Sequence, residues 1–467
     1  MRRLLDDYRE NVALLDRELC VRESFDVLKK VLAVGDGEIT LYFVDGFVKD
    51  TVMQKLMMNL GSLKKMPKGA AEFMREAVPY VETDVVEDLD LMITSVLSGA
   101  SLLVGSALGA EGILIDSRTY PARETAEPEG DRVMRGARDG FVETLIFNTA
   151  LIRRRIRNPK LRMQYMSIGE DSRTDVVISY MADRADLRYV EWLKGRLRSV
   201  KTDALVMGSR SLVECLIPRR WYNPFPKIRT SERPDAAAAQ LLEGSVLILV
   251  DNSPQVMILP STIFDFMQET NDFYFPPLTG TYIRWVRYTV FFLTWILTPL
   301  WYLMTQNPEG VPEWLRFALP DETGKLPIFI QLLLVEFIID ALRLASLNTP
   351  DMLNNSLSVV GGLILGDFAV EIGWLIPEVI LYMAFVAIAN FTQRSYELGY
   401  AIKFLRIGML TLIAFFGVGG FWIGVVGSLV LVVTNTTLNG RRNYLDPLIP
   451  FRPRALLSLF VRLKKKG

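Results

Sequence analysis

The sequence contains no histidine among its 467 residues, and its only cysteines are Cys20 and Cys215. The absence of histidine excludes Ser-His-Asp catalysis, Cys-His catalysis and any metal site with imidazole ligands. Two cysteines provide neither a disulfide framework nor a zinc site. The sequence also lacks a G-x-x-x-x-G-K-[ST] phosphate loop and a G-x-G-x-x-G run after a strand. We therefore expect a protein that is not an enzyme, with no catalytic residue, cofactor or metal.

A net charge is also missing, since 53 basic residues balance 53 acidic ones. No overall field therefore attracts the chain to nucleic acid. The basic run "LIRRRIRNPKLR" (151–162) lacks interleaved aromatic residues, which argues against nucleic-acid binding. Cations near a helix C-terminus explain this run, and contact with anionic lipid headgroups explains it equally well. Both interpretations remain open, so anionic lipid is an expected partner and nucleic acid is not.

The first half of the chain alternates short β-rich runs with helical ones. The predicted strands are Ile39–Phe47, Gly112–Ser117, Asp175–Met181, Ser245–Asp251 and Gln255–Pro260. This alternation is typical of α/β architecture. The predicted division is an α/β subdomain at 1–135, a helical linker at 136–160 and a second α/β subdomain at 161–283. The chain start carries acids where a signal peptide would be apolar, so we expect this two-lobed region to be cytoplasmic.

Long apolar runs fill the second half and predict an α-helical polytopic membrane domain at 284–436, with five to six spans. The predicted spans are 288–304, 327–346, two within 356–391, and a run at 404–433 whose last two crossings divide around Gly417–Gly420. Lys and Arg flank the first span and fill the tail at 437–467, whereas the loop 305–326 is acidic. Because cytoplasmic loops are enriched in Lys and Arg, both termini should be cytoplasmic.

Two carboxylates interrupt the second predicted span. Glu336 and Asp340 are four residues apart and share a helix face, and Arg343 follows one turn later. A charge at the bilayer centre costs about 2.5–3.5 kcal/mol on insertion scales, so such groups face protein or a water-filled path. These acids either pair locally, as Asp340 with Arg343, and hold helices together, or they attract cations to a path. Both hypotheses stay open.

The next two predicted helices carry the other candidates for an ion pathway. These are an acid pair and two glycines on one helix and two polar residues on the following one: Asp367, Glu371, Gly362, Gly366, Glu378 and Asn390. Small residues let helices pack closely, and rings of carboxylates select cations. A helix presents only one face to a pore axis, and the face with Asp367 and Glu371 ranks first as pore lining.

Three long segments carry a family resemblance. They are "EPEGDRVMRGARDGFVETLIFNTALIRRRIRNPKL" (127–161), "SIGEDSRTDVVISYMADRAD" (167–186) and "NPFPKIRTSERPDAAAAQLLEGSVLILVDNSP" (223–254). Together they resemble the A subunits of GerA-type spore germination receptors, and the resemblance extends from about Ile39 to Pro450. The run at 377–406 is most similar to one branch of that family, which is associated with the dipicolinic-acid release system.

The resemblance implies a multi-pass protein of the spore inner membrane, with its N-terminal region and tail on the spore-core side. It implies a homo-oligomeric ring, with five copies expected, that forms a channel for monovalent cations early in germination or amplifies that signal. Other inner-membrane germination proteins would be partners. The alternatives are a nutrient receptor A subunit that works with B and C subunits, and a non-conducting scaffold of the dipicolinic-acid system. The resemblance assigns no residue as a ligand contact.

Overall fold

The computed structural model describes residues 2–78, 80, 82–117, 136–217, 222–269, 271–321, 324–348, 368–441 and 443–462. The chain forms two compact units. The first, which we call the α/β unit, comprises Met1–Pro218 and Ile228–Ser261. The second, which we call the helical unit, comprises Arg219–Lys227 and Thr262–Gly467. The α/β class predicted for the first half of the chain is confirmed.

The first lobe of the α/β unit is a five-stranded antiparallel sheet with four helices. Its elements are α1 (Tyr8–Glu18), β1 (Val27–Val34), β2 (Gly37–Val44), α2 (Asp50–Ser62), α3 (Ala70–Ala77), β3 (Thr83–Val86), α4 (Leu89–Leu97), β4 (Ser101–Gly105) and β5 (Gly112–Ile115). The strand order is β1-β2-β4-β5-β3. The side chain of Asp7 caps α1 by accepting from the amide of Glu10, which fixes where the helix begins.

The second lobe repeats this topology. Its elements are α5 (Leu145–Arg155), β6 (Leu161–Ile168), β7 (Thr174–Met181), α6 (Leu187–Arg198), α7 (Ser209–Leu216), β8 (Arg229–Ser231), α8 (Pro234–Leu242), β9 (Val246–Val250) and β10 (Val256–Leu259). The strand order β6-β7-β9-β10-β8 matches that of the first lobe, and both lobes follow the order αββααβαββ. In both, a buried asparagine on the first helix bonds both backbone polar groups of a residue six positions earlier: Asn11 with Leu5, and Asn148 with Val142.

Helix α5 joins the two lobes. It lies inside the segment 136–160 that the sequence predicts as a helical linker, but the described helix has only 11 residues. Leu145, Leu151 and Ile152 pack in the core of the second lobe, whereas Ala150 packs in the core of the first. One helix therefore contributes side chains to two hydrophobic cores. The predicted domain boundaries stay a prediction.

The helical unit contains α9 (Ile263–Met267), α10 (Asn271–Tyr274), α11 (Pro277–Gln306), α12 (Ile328–Asn348), α13 (Pro377–Phe391), α14 (Tyr396–Val433) and α15 (Pro453–Phe460). Within the described residues, α11 and α14 are long and apolar enough to cross a membrane by length and composition, and α13 is a shorter apolar helix. Helix α12 coincides with a predicted span and carries three charges in its apolar run. The first helix predicted within 356–391 falls mostly outside the described residues.

Helix α14 folds back on itself. Gly417, with φ +52° and ψ −129°, breaks its helical backbone in the middle. A Cβ atom on Gly420 would lie 1.9 Å from the carbonyl oxygen of Leu412, and one on Gly424 would lie 2.6 Å from Met409 Cγ. Residues 8 and 15 positions apart in a continuous helix are about 12 and 22 Å apart. The two arms of α14 therefore pack antiparallel, and glycine permits their close approach.

Candidate functional site

Two ion pairs join α12 to α14 inside the helical unit. The carboxylate of Glu336 accepts from the guanidinium of Arg406, and that of Asp340 accepts from the ammonium of Lys403. The second Nη of Arg406 donates to the carbonyl oxygen of Thr294 on α11 over 2.9 Å, which ties a third helix to the pair. Each element supplies its two charges one turn apart, so both pairs form along one helix–helix contact.

The burial of these charges sets their energetics. Arg406 is 1% exposed and Glu336 is 5% exposed. Removing a single charge from water costs several kcal/mol, and only a close opposite charge with further hydrogen bonds offsets that cost. Each acid here has such a partner, and the pair of Glu336 with Arg406 is the more buried of the two, since the side chain of Asp340 is 32% exposed. In this conformation the two acids are not bare cation sites.

Arg343 lies beside these pairs in an aromatic environment. Its guanidinium carbon is 5.3 Å from the ring centroid of Phe391, 5.5 Å from that of Tyr396 and 6.0 Å from that of Tyr400. A guanidinium over aromatic faces is stabilised by cation–π attraction. The local pair of Asp340 with Arg343, one of the hypotheses from the sequence, is not what the structure shows. Lys403 is the cation that pairs with Asp340 instead.

A cavity of about 240 Å³ opens next to the ion pairs, between α12, α13 and α14. Its lining includes Asp340, Arg343, Asn390 and Lys403. The amide oxygen of Asn390 is buried and has no hydrogen-bond partner among the residues that the structure describes. An unsatisfied buried acceptor costs about 1–3 kcal/mol unless water or an ion reaches it. The arrangement thus offers a small, mainly apolar chamber whose wall also carries two acids, two cations and a carbonyl-type oxygen.

The structure brings together three of the eight predicted pathway residues. Glu336, Asp340 and Asn390 line the cavity. Glu371 is exposed at the end of the short helical stretch 368–371, and Glu378 is half-buried in the first turn of α13; neither is among the lining residues. The remaining candidates, Asp367, Gly362 and Gly366, lie outside the described residues, so the face ranked first as pore lining stays a prediction.

Sequence reasoning did not single out the basic partners. Lys403 and Arg406 lie in "YAIKFLRIG", where two cations three residues apart interrupt an apolar helix. That spacing places both cations on one face of α14, as the spacing of the two acids does on α12. Among the part of the chain that is described, no group of three or more Cys, Asp or Glu side chains is placed to hold a metal ion.

A second buried cluster precedes the first long helix. Asp272 is fully buried and accepts from Arg284 Nε over 3.1 Å and from Arg287 Nη2 over 2.9 Å. Glu269 accepts from the same Arg287 over 2.8 Å. The sequence pattern predicts these arginines as basic flanks of a membrane span. The structure shows that they are also buried and that they hold α10 against the start of α11.

The protein is thus a two-part chain. An antiparallel two-lobed α/β unit is combined with a helical unit that contains buried ion pairs and candidate membrane helices. The chain belongs to the family described as Bacillus/Clostridium GerA spore germination protein, whose model matches residues 16–466. The resemblance stated from the sequence is therefore confirmed.

Named relatives agree with that membership. The chain is 36% identical to stage V sporulation protein AF of Bacillus subtilis, over 95% of this chain and 90% of that protein. This confirms the branch expected from residues 377–406. It is 28% identical to spore germination protein A1 of Bacillus subtilis, over 96% of this chain and 91% of that protein. This chain is also similar to a crystal structure, that of the N-terminal domain of the A subunit of the Bacillus megaterium spore germinant receptor GerK3. The match covers 56% of this chain and 98% of that chain, at 23% identity with a TM-score of 0.43.

Proposed function

We propose that this protein is a subunit of a ring-shaped cation channel in the spore inner membrane, with five copies per ring. The channel would release monovalent cations early in germination or amplify that release, beside other inner-membrane germination proteins. The proposal includes no enzymatic step, cofactor or metal. Membership of the GerA spore germination family supports the process, and the resemblance stated from the sequence supports the ring and its ion traffic.

The observation that carries the proposal is the set of paired charges beside a cavity in otherwise apolar helices. Ionisable residues inside membrane segments are costly and mark ion paths, relays or switches. Helix packing alone needs no charge, because small and apolar side chains provide it. Here the chain places Asp340 and Lys403 at a cavity wall next to an unsatisfied amide oxygen. A cation that enters would meet oxygen ligands there, and it would compete with Lys403 for the carboxylate.

The proposed topology has six crossings, with the α/β unit and the tail on the spore-core side. Helices α11 and α14 support membrane insertion by their length and composition. The reversal at Gly417 supports two short final crossings in place of one long helix. The basic tail supports its own location on the core side.

A non-conducting scaffold is the second candidate, and one observation favours it. Every acid of the ion-pair site has a basic partner, which is the arrangement expected of charges that only hold helices together. The two candidates differ in what neutral replacement does. A scaffold needs hydrogen bonds and no charge, so Asp340→Asn with Lys403→Gln should leave it intact. A channel that uses this wall should change its conductance.

Potassium flux from liposomes that contain only the purified full-length protein tests the proposal without receptor partners. We expect flux with the native chain and a severalfold change in flux or selectivity with the double variant Asp340→Asn/Lys403→Gln. Glu309→Gln, at an exposed loop position, is the matched control and should behave as the native chain. No flux with correctly folded native protein would refute the channel. If the double variant leaves the flux unchanged, the ion path does not run through this cavity.

A further inference from the structure

The last described helix, α15, is fixed to the start of α11. Arg284 of α11 donates to the carbonyl oxygens of Ser458 and Leu459 over 2.8 and 3.4 Å. These carbonyls belong to the last turn of α15, which has no further helical turn to satisfy them. The ring of Phe460 contacts Trp285 and Tyr288 at centroid distances of 5.9 and 5.2 Å. One arginine therefore joins the buried Asp272 cluster to the C-terminal helix.

The contact lies at the level where α11 would leave the hydrocarbon layer. Its 30 residues give a length of about 45 Å, whereas the hydrocarbon core is about 30 Å thick. The predicted span 288–304 is about 26 Å long and nearly crosses that core, so the residues before it lie at the core boundary and in the headgroup region. Trp285 and Tyr282 in that extension are exposed, as is typical of aromatic residues at a membrane interface. Helix α15 packs against this same extension.

The free surface of this segment is apolar and basic at once. Phe451 is 68% exposed, and Leu448, Ile449 and Leu457 are also exposed. Arg452 and Arg454 lie exposed among them, with Arg452 3.2 Å from the carboxylate of Asp446. Exposed large apolar groups in a short segment mark an interaction surface. Apolar side chains alternating with arginines suit the boundary between acyl chains and anionic headgroups.

We infer that residues 448–462 form an interfacial anchor that lies on the bilayer and binds anionic lipid. Continuity with the exposed aromatic residues of α11 and the positive charge of the segment select a membrane surface as the occupant. The inference rests on the proposed membrane crossing by α11. Arg284 then determines how deep the anchor lies in the bilayer, because it holds α15 beside the start of the first span.

Environment-sensitive labels on the full-length chain in vesicles test the anchor. After replacement of Cys20 and Cys215 by serine, single cysteines at Phe451→Cys, Phe292→Cys and Val206→Cys carry the fluorophore NBD. Position 292 lies exposed in the middle of α11, and position 206 is an exposed site on the α/β unit. The vesicles contain phosphatidylcholine with or without phosphatidylglycerol, plus lipid spin-labelled at the headgroup or deep in the acyl chain.

We expect headgroup quencher to act most strongly on position 451, deep quencher on position 292, and neither on position 206. Quenching at 451 should increase with phosphatidylglycerol. Arg452→Gln and Arg454→Gln should each reduce the ratio of inserted to free label about fivefold, from the contribution of one basic residue at an anionic surface. Arg284→Gln should reduce quenching at 451 and leave that at 292 unchanged.

Three outcomes would overturn the anchor. If position 292 is quenched and position 451 behaves like position 206, α11 crosses the membrane and the tail does not touch lipid. If position 451 is protected from both quenchers but transfers energy to a labelled second copy, the surface binds protein instead. Absence of quenching at 292 would refute the proposed span and the anchor with it.

Discussion

The buried ion pair between the lobes of the α/β unit gives the sharpest stability prediction. Arg153 is 1% exposed, and its guanidinium donates to both carboxylate oxygens of Asp26 over 2.9 and 3.1 Å. It also donates to the side chain of Ser24 and to the carbonyl oxygens of Asn158 and Leu161. All of its partners are therefore inside the protein. Arg153→Met keeps much of the side-chain volume but leaves the Asp26 carboxylate buried without a cation.

Breaking such a pair from one side costs about 3–5 kcal/mol of the free energy of unfolding. For a unit of roughly 250 residues, 1 kcal/mol lowers Tm by about 2–4 °C, so we expect Tm to fall by about 6–20 °C. Calorimetry or urea unfolding of residues 1–283 measures the loss. The double variant Arg153→Met/Asp26→Leu should recover most of it, because apolar replacement of both partners of a buried pair is often neutral.

The matched control is Arg3→Met, because the pair of Arg3 with Glu87 is exposed, at 65% and 51%. An exposed pair contributes about 0–1 kcal/mol. If Arg153→Met destabilises the unit no more than Arg3→Met does, the reasoning from burial is wrong. If the double variant is as unstable as the single one, the loss comes from packing around the side chain and not from the unpaired carboxylate.

Three further predictions concern other parts of the chain. Gly420→Ala should abolish recovery of folded full-length protein from membranes, because its Cβ would overlap the carbonyl oxygen of Leu412; Gly419→Ala, where the Cβ meets nothing within 4 Å, should leave recovery unchanged or improved. Residues 1–283 expressed alone should give a soluble product with a protected hydrogen-exchange core, and persistent aggregation would count against that boundary. Burial raises the pKa of the Cys20 thiol, so at pH 8 iodoacetamide should alkylate it more slowly than a free-thiol peptide; a rate equal to the peptide's would contradict its burial.

The elements that the sequence predicts well are those with a local pattern. The predicted strand Asp175–Met181 is β7 with one residue fewer, and Gln255–Pro260 contains β10, because buried strands are short apolar runs between turn residues. Helix α12 likewise coincides with its apolar run. The duplicated topology of the two lobes was not predicted, because the lobes share element order and a buried asparagine but no visible repeat of sequence.

Pairing partners far apart in sequence account for the rest. From the sequence, the basic run at 151–162 is explained equally well by helix capping and by lipid contact. The structure instead shows Arg153 buried and paired with Asp26, which lies 127 positions earlier in the chain. Asp340 had a cation one turn away in Arg343, yet Lys403, 63 positions along the chain, is its partner. Which cation pairs with an acid on a packed helix depends on how the helices pack, and helical spacing within one segment does not specify it.

The reversal at Gly417 brings both ends of α14 to the same side of the helical unit. Because the helix folds back near its midpoint, its second arm returns along the first, and the start and the end of α14 lie close together. One hydrophobic cluster contains Leu398 near its start, Leu431 near its end and Tyr288 near the start of α11. The entry of the first long helix and both ends of the last therefore form a single junction. A conformational change at any one of these three helix ends would therefore affect the other two through direct side-chain contacts, without being transmitted along the length of the helices.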